Sequence, residues 1–219
     1  NGTIKGKNVS LKADAAYDNS GLAEMLPLAV ASAVSKVEID SGRIDASENL
    51  TIEAGSIVNV SAGGLSPLGS IAADSAAVVD VRGDSVVSSG ADTRISADST
   101  VTAEARPGAP DALSLPGDAG AAINVVASKA EAHVGGESSI TAGGVLDLTA
   151  GNAVTAITTA DASAQGAIAV GGTVALSEIS TVTKAYIDET AETRSDSLNL
   201  EAYSANTVTT SAKAASQGA

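Results

Sequence analysis

"GVLDLTAGNAVTAITT", residues 144–159, alternates apolar and polar side chains, and 52 residues later the chain says nearly the same thing in "DSLNLEAYSANTVTT", residues 196–210. A period of two places one set of side chains inward and the next outward, as in a half-buried β-strand. Taken locally, the stretch predicts a strand, a tight bend near Ala150 and a second strand. Its recurrence matters more than its local form, because a phrase repeated at fixed spacing belongs to a stacked architecture.

The phrase has the form apolar-x-apolar-x-Ala. It occurs at Val9, Leu11, Ala13; at Leu50, Ile52, Ala54; at Leu146, Leu148, Ala150; and at Leu198, Leu200, Ala202, with a weaker copy at Thr93, Ile95, Ala97. The central residues are 41, 43, 53 and 52 residues apart. A second phrase, "KVEID", "VVDVR", "EAHVG" and "KAYID", falls between the copies of the first, with markers Ile39, Val81, Val134 and Ile187 spaced 42, 53 and 53 apart. Two markers that keep one phase through four cycles establish a true repeat. The lengthening from about 42 to about 53 falls between the first phrase and the second, where stacked coils admit insertions that bulge outward and spare the core.

This pattern predicts an all-β chain folded as a parallel β-helix, or β-solenoid. A repeat of 42–53 residues suggests two coils, giving 9–10 coils and a rod about 45 Å long at the strand spacing of a sheet. Residues 1–219 are expected to form a single solenoid segment of a longer repetitive chain. The Pro- and Gly-dense stretch 105–120, "ARPGAPDALSLPGDAG", reads as an outward loop, and a short helical turn is expected around 21–27. An antiparallel sandwich also has short strands but gives no reason for the two-phrase register.

Composition agrees with a thin core. Hydrophobic residues make up 44% of the chain and aromatics only 1%, so Ala, Val, Ile and Leu must fill the interior. In a ladder each inward residue sits on its counterpart, Leu11 on Ile52 on Ile95 on Leu148 on Leu200, and the Ala column is read as the corner at which the backbone turns. With 12 basic and 26 acidic residues the formal charge is −14, which repels a phosphate backbone and excludes nucleic acid as a partner. The absence of Cys excludes disulfides and thiolate zinc sites. No apolar stretch is long enough to insert into a membrane.

Candidate chemistry is sparse. His133 shares its position with Glu38, Asp80 and Tyr186 of the other cycles, an outward position, and no nucleophile elbow accompanies it. The acidic turns 38–48 (Glu38, Asp40, Asp45, Glu48) and 187–196 (Asp188, Glu189, Glu192, Asp196) are candidates for Ca²⁺, but lack the EF-hand and nonapeptide patterns, so solvated surface charge is the simpler reading. Arg43, Arg82, Arg94, Arg106 and Arg194 are too scattered for the basic groove of a polysaccharide lyase. The pairs Thr100/Thr102, Thr181/Thr183 and Thr207/Thr209 suggest an ice-binding ladder broken at Ile157. Two glycosylation sequons, at Asn8 and Asn49, fall inside predicted strands. No catalytic, cofactor-binding or metal-binding residue is assigned, and the chain is expected not to be an enzyme and to need no cofactor.

The alternation of "VLDLTA" and "SLNLEA" with "GAIAVGGTVALSEISTVTKAYI", poor in aromatics and without Cys, resembles the repeat region of large bacterial surface adhesins of the filamentous haemagglutinin and leukotoxin-like filamentous adhesin type. That resemblance implies a right-handed parallel β-helix, secretion, an extracellular or cell-surface location, and a non-catalytic shaft that carries binding surfaces toward host or neighbouring cells. The expected partners are further solenoid coils, joined end to end in the same chain or by self-association. A polysaccharide-active β-helix and an ice-binding solenoid are the alternatives.

Overall fold

The computed structural model describes residues 2–19, 27–64, 67–107, 117–165 and 170–217. The chain lays down β1 (Thr3–Gly6), β2 (Val9–Asp18), β3 (Leu28–Asp40), β4 (Arg43–Ala46), β5 (Leu50–Gly64), β6 (Leu68–Arg82), β7 (Val86–Ser89), β8 (Thr93–Pro107), β9 (Gly117–Val134), β10 (Ser139–Ala142), β11 (Val145–Gln165), β12 (Val170–Ile187), β13 (Glu192–Arg194) and β14 (Ser197–Gln217). These form three parallel sheets stacked in chain order. A narrow sheet holds β1-β4-β7-β10-β13, a first broad sheet β2-β5-β8-β11-β14, and a second broad sheet β3-β6-β9-β12. The result is a parallel β-solenoid, not a closed barrel.

The expected ladders are present residue for residue. Leu11, Ile52, Ile95, Leu148 and Leu200 pair in one column of the first broad sheet. Ile39, Val81, Val134 and Ile187 pair in one column of the second. The coil count needs correction. Residues one repeat apart are direct neighbours, as in Ile52 with Ile95, so each repeat is one coil and not two. The two phrases mark the two broad sheets of a single flattened coil. Five rungs at strand spacing give a stack about 24 Å tall, half the expected rod.

The corners differ from expectation too. The bend expected near Ala150 is not there: β11 runs unbroken from Val145 through residue 159, and the chain bends before it, at Gly143 and Gly144. Ala54, Ala97 and Ala150 lie in mid-strand, buried, facing the opposite sheet. Their small size sets how closely the two broad sheets approach. The extra residues of the fourth coil do not bulge. They lengthen β11 to 21 residues and β12 to 18, against 15 each for β5 and β6. Of the stretch 105–120, the first three residues end β8 and the last four begin β9, while 108–116 lie outside the described residues, as does the helical turn expected at 21–27 except for Pro27.

The true corners are built from polar side chains and positive φ. Between narrow and first broad sheets, Asn8 Oδ1 accepts the Asn49 N–H at 3.2 Å, Asn49 Oδ1 that of Asp92 at 3.3 Å, and Asp92 Oδ1 that of Val145 at 2.9 Å. Both sequon asparagines thus sit at exposed corners just before a strand, not inside one. Their short amides satisfy backbone groups that the turn leaves without a ladder partner. At the corner from the second broad sheet to the narrow one, Ser41, Gly83 and Gly136 take φ of 52°, 67° and 66° in successive coils. A Cβ on Gly136 would meet the Gly83 backbone nitrogen at 2.7 Å, so stacking and φ both select glycine there.

Two aliphatic clusters fill the space between the broad sheets. One lies beside the narrow sheet around Ile52, Ile95, Leu148 and Val79, the other toward the far edge around Val58, Val101, Val154 and Ile71. A file of buried hydroxyls runs between them along the stack. Ser56 Oγ donates to the Ala33 carbonyl at 2.7 Å, and Ser56–Ser75, Ser75–Ser99 and Ser99–Ser128 follow at 2.8 Å each. Asn152 continues the column, fully buried, with neither amide atom hydrogen-bonded to another group among the described residues.

Ile95→Ala is expected to cost about 2–4 kcal/mol in urea unfolding, because both neighbouring coils hold the cavity open. Ile57→Ala, on the outer face and 47% exposed, is expected to change stability by less than about 0.5 kcal/mol. Equal effects at the two sites would contradict the assigned facing of β5 and β8.

Candidate functional site

With the interior filled, chemistry is confined to the outer faces and corners. The two broad faces differ. The first carries a mixed polar surface. The second is divided, with a charged network beside the narrow sheet and partly exposed aliphatic side chains toward the far edge.

The network centres on the column Glu38, Asp80, His133 and Tyr186, the positions the repeat had aligned. His133 is mostly buried. Its Nδ1 lies 2.9 Å from Asp80 Oδ1 on the preceding coil, and its Nε2 lies 3.0 Å from Asp188 Oδ2 on the next. Carboxylates only accept, so a ring protonated on both nitrogens satisfies both contacts, while a neutral ring leaves one lone pair facing an oxygen. The ring stacks on Tyr186 at a centroid distance of 4.4 Å. A Cβ at residue 135 would lie 2.4 Å from His133 Nε2, so Gly135 leaves room for the ring and for Asp188.

Arg82 binds Glu38 and Asp40 and approaches Asp80 at 3.5 Å, tying neighbouring coils. Hydrogen bonding from Lys36, aided by the Arg82 charge, holds the Glu38 carboxyl below its ordinary range despite some desolvation. Burial pushes the Glu131 carboxyl up, but hydrogen bonds from Lys129 and Tyr186 outweigh it and leave it lowered. The Tyr186 hydroxyl donates to Glu131 Oε1 at 2.8 Å. Burial, then that bond and the surrounding carboxylates, push the phenol up to about 12.

Both His133 nitrogens are engaged by carboxylates, which leaves neither free to take a proton from a nucleophile. The other candidate groups stay apart. In 38–48, Glu48 pairs with Lys7, and Asp45 with Lys5 and Arg43. The Arg43 and Ser88 hydrogen bonds lower the Asp45 carboxyl. In 187–196, Asp188 turns to His133, Glu192 lies in β13 and Asp196 at the next corner. Among the described residues no three His, Asp or Glu side chains gather as a metal site. Arg43, Arg82, Arg94 and Arg106 lie on three different sheets, each near its own acids. Arg194 lies in β13 of the narrow sheet.

The threonine pairs also separate. Thr102, Thr155 and Thr207 form one outer column of the first broad sheet, but the adjacent column reads Glu104, Ile157, Thr209, and β12 turns Thr181 and Thr183 toward the core.

Sequence reasoning missed the aliphatic half of the second broad face. Leu28, Val30, Leu68, Val125, Val174 and Leu176 are 42–66% exposed there. The signal was present in runs such as "LPLAVASAV", apolar at both parities, which mark a strand with two apolar faces.

No protein-family model matches the chain, and neither a curated protein nor a solved structure matches it. No helix among the described residues is long and apolar enough to cross a membrane.

His133→Ala leaves Asp80 and Asp188 facing across a gap and is expected to lower stability by roughly 1–2 kcal/mol. Denaturant unfolding near neutral pH reads it, and an unchanged midpoint would show that the clip contributes nothing. Tyr186, raised from 10.0 to about 12, contributes stability that is complete below pH 10 and lost as pH rises through about 12. The Asp98 charge raises the Tyr203 phenol as well, so tyrosinate absorbance during alkaline titration should lose its component near pH 12 in Tyr186→Phe while keeping the raised Tyr203 one.

Proposed function

We propose that this chain is a non-catalytic shaft segment of an exported β-solenoid, displayed at a cell surface and adhesive through what it carries. The observation that supports this most is the uninterrupted ladder. Every inward position stacks on its counterpart one coil away, so coils can be added without redesigning the core. The outermost strands fit the same reading: among the described residues β14 pairs with β11 alone, β12 with β9, β2 with β5 and β3 with β6, so each offers its other backbone edge to a further coil. At the first-coil end a groove of about 510 Å³, lined by Leu11, Ala13, Val37, Ile39 and Ile44, opens onto the core. At the other end Leu198, Leu200 and Val208 are about half exposed. Further coils, in the same chain or in another copy, are the partners these ends suit. The resemblance to the repeats of large surface adhesins supports export and adhesion.

Tandem fusion tests the shaft reading. Two copies joined in register should give a particle longer by about 24 Å in small-angle scattering or electron microscopy, from five rungs at strand spacing. Two independently tumbling units would refute it. Incubation with acidic polysaccharides should release no unsaturated sugar ends, and turnover abolished by a single substitution would establish an enzyme instead.

A further inference from the structure

We propose that the aliphatic half of the second broad face is a side-by-side dimer interface, and that its occupant is the same face of a second copy. This goes beyond the shaft reading, since lateral pairing is required neither by a shaft nor by end-to-end growth.

Three observations favour this occupant. The first is concentration: half of the exposed large apolar side chains among the described residues lie on this one face, in columns that cross all four of its strands. Monomeric surfaces rarely hold so contiguous an apolar area. The second is charge. The chain carries −14, so copies repel, but the outer second face sets Lys36, Arg82, Lys129 and Lys184 against six acids, and its aliphatic half holds only Asp74, Glu178 and Lys129. A like-charged copy meets less repulsion here than against the charged half of the same face.

The third observation is shape. Take a two-fold axis parallel to the stack through the column Val30–Ala72–Val125–Glu178. The bulky column Leu28–Ser70–Ile123–Leu176 then faces the small column Ser32–Asp74–Ala127–Ser180 of the partner. Leu68 likewise faces Ala76, a ridge against a groove, while Val174 meets Val182 side by side at the end of the stack. Coils of both copies run in the same direction, so pairing does not block growth at either end. Four strands by nine residues give about 600 Å² before side-chain relief is counted. This falls short of the roughly 800 Å² per partner of a standard interface. The expected dimer is therefore reversible and micromolar, and strengthens as coils are added.

The test is sedimentation equilibrium of the 219-residue chain up to about 100 µM, a range that reads micromolar constants. A monomer–dimer equilibrium is expected. Val125→Lys should weaken it at least about tenfold with an unchanged thermal midpoint, since Val125 points outward and is 42% exposed. Glu178→Gln should tighten it by removing a like-charge contact on the axis. Leu200→Lys, at the stack end, should leave it unaltered. Because the chain has no Cys, Ala72→Cys gives a second readout independent of Val125: on the axis it should cross-link to itself through a bis-maleimide spanning about the 10 Å between packed sheets, while Thr102→Cys on the opposite face should not. A monomer throughout the range overturns the proposal. So does association lost in Leu200→Lys but kept in Val125→Lys, which would mean end-to-end stacking and leave the shaft reading intact.

Discussion

Parallel backbone pairing at one fixed spacing between coils is the constraint on which the rest of this structure depends. Once Ile52 hydrogen-bonds in register with Ile95, and Ile95 with Leu148, every inward position must accept a neighbour of similar bulk roughly 4.8 Å above and below. A large ring would have to be repeated in each coil or would leave voids beside it. The chain meets the constraint with Ala, Val, Ile and Leu, and with alanines at mid-strand that draw the two broad sheets close. The serine file belongs to the same economy. Ser56, Ser75, Ser99 and Ser128 are small enough for the narrow gap and satisfy one another along the stack.

Regularity in the core leaves individuality to the outer surface and the corners. The charged network around His133 ties three successive coils, since Asp80, His133 and Asp188 each come from a different one. Arg82 does the same for the first two. These contacts lock register where the chain turns from the second broad sheet into the narrow one, and the Asn8–Asn49–Asp92 ladder does so at the next corner. Among the described residues the far edge of the second sheet shows no such network and carries aliphatic side chains. The solenoid is thus tied in register at one side by charged contacts and faced with aliphatic side chains at the other.

Several features were legible because periodicity is a local record of a tertiary ladder. The two phrases predicted strands and the columns in which their residues stack, and placed His133 in the column of Glu38, Asp80 and Tyr186. The coil count was misread because the spacing gives the length of the repeat but not how many times the chain circles the axis within it. The Ala columns were misread as corners. A corner and a close sheet-to-sheet contact both demand a small residue, and the sequence does not distinguish them. That error also hid the serine file. With a bend at Ala54 or Ala97 the alternation seems to stop, whereas carried through it brings Ser56 and Ser99 inward in phase with Ile52 and Ile95. The His133 clip escaped notice because its partners, Asp80 and Asp188, lie 53 and 55 residues away.

By itself the sequence determined the strand pattern, the register between repeats and the thin aliphatic core, because each follows from residue size and alternation at fixed spacing. Tertiary structure alone decided that one repeat makes one flattened coil of three strands, that the mid-strand alanines face a second sheet, and that an apolar run exposes one of its two faces. Each of those depends on which surfaces meet once the coil closes, and closure is set by backbone pairing between residues far apart in the chain.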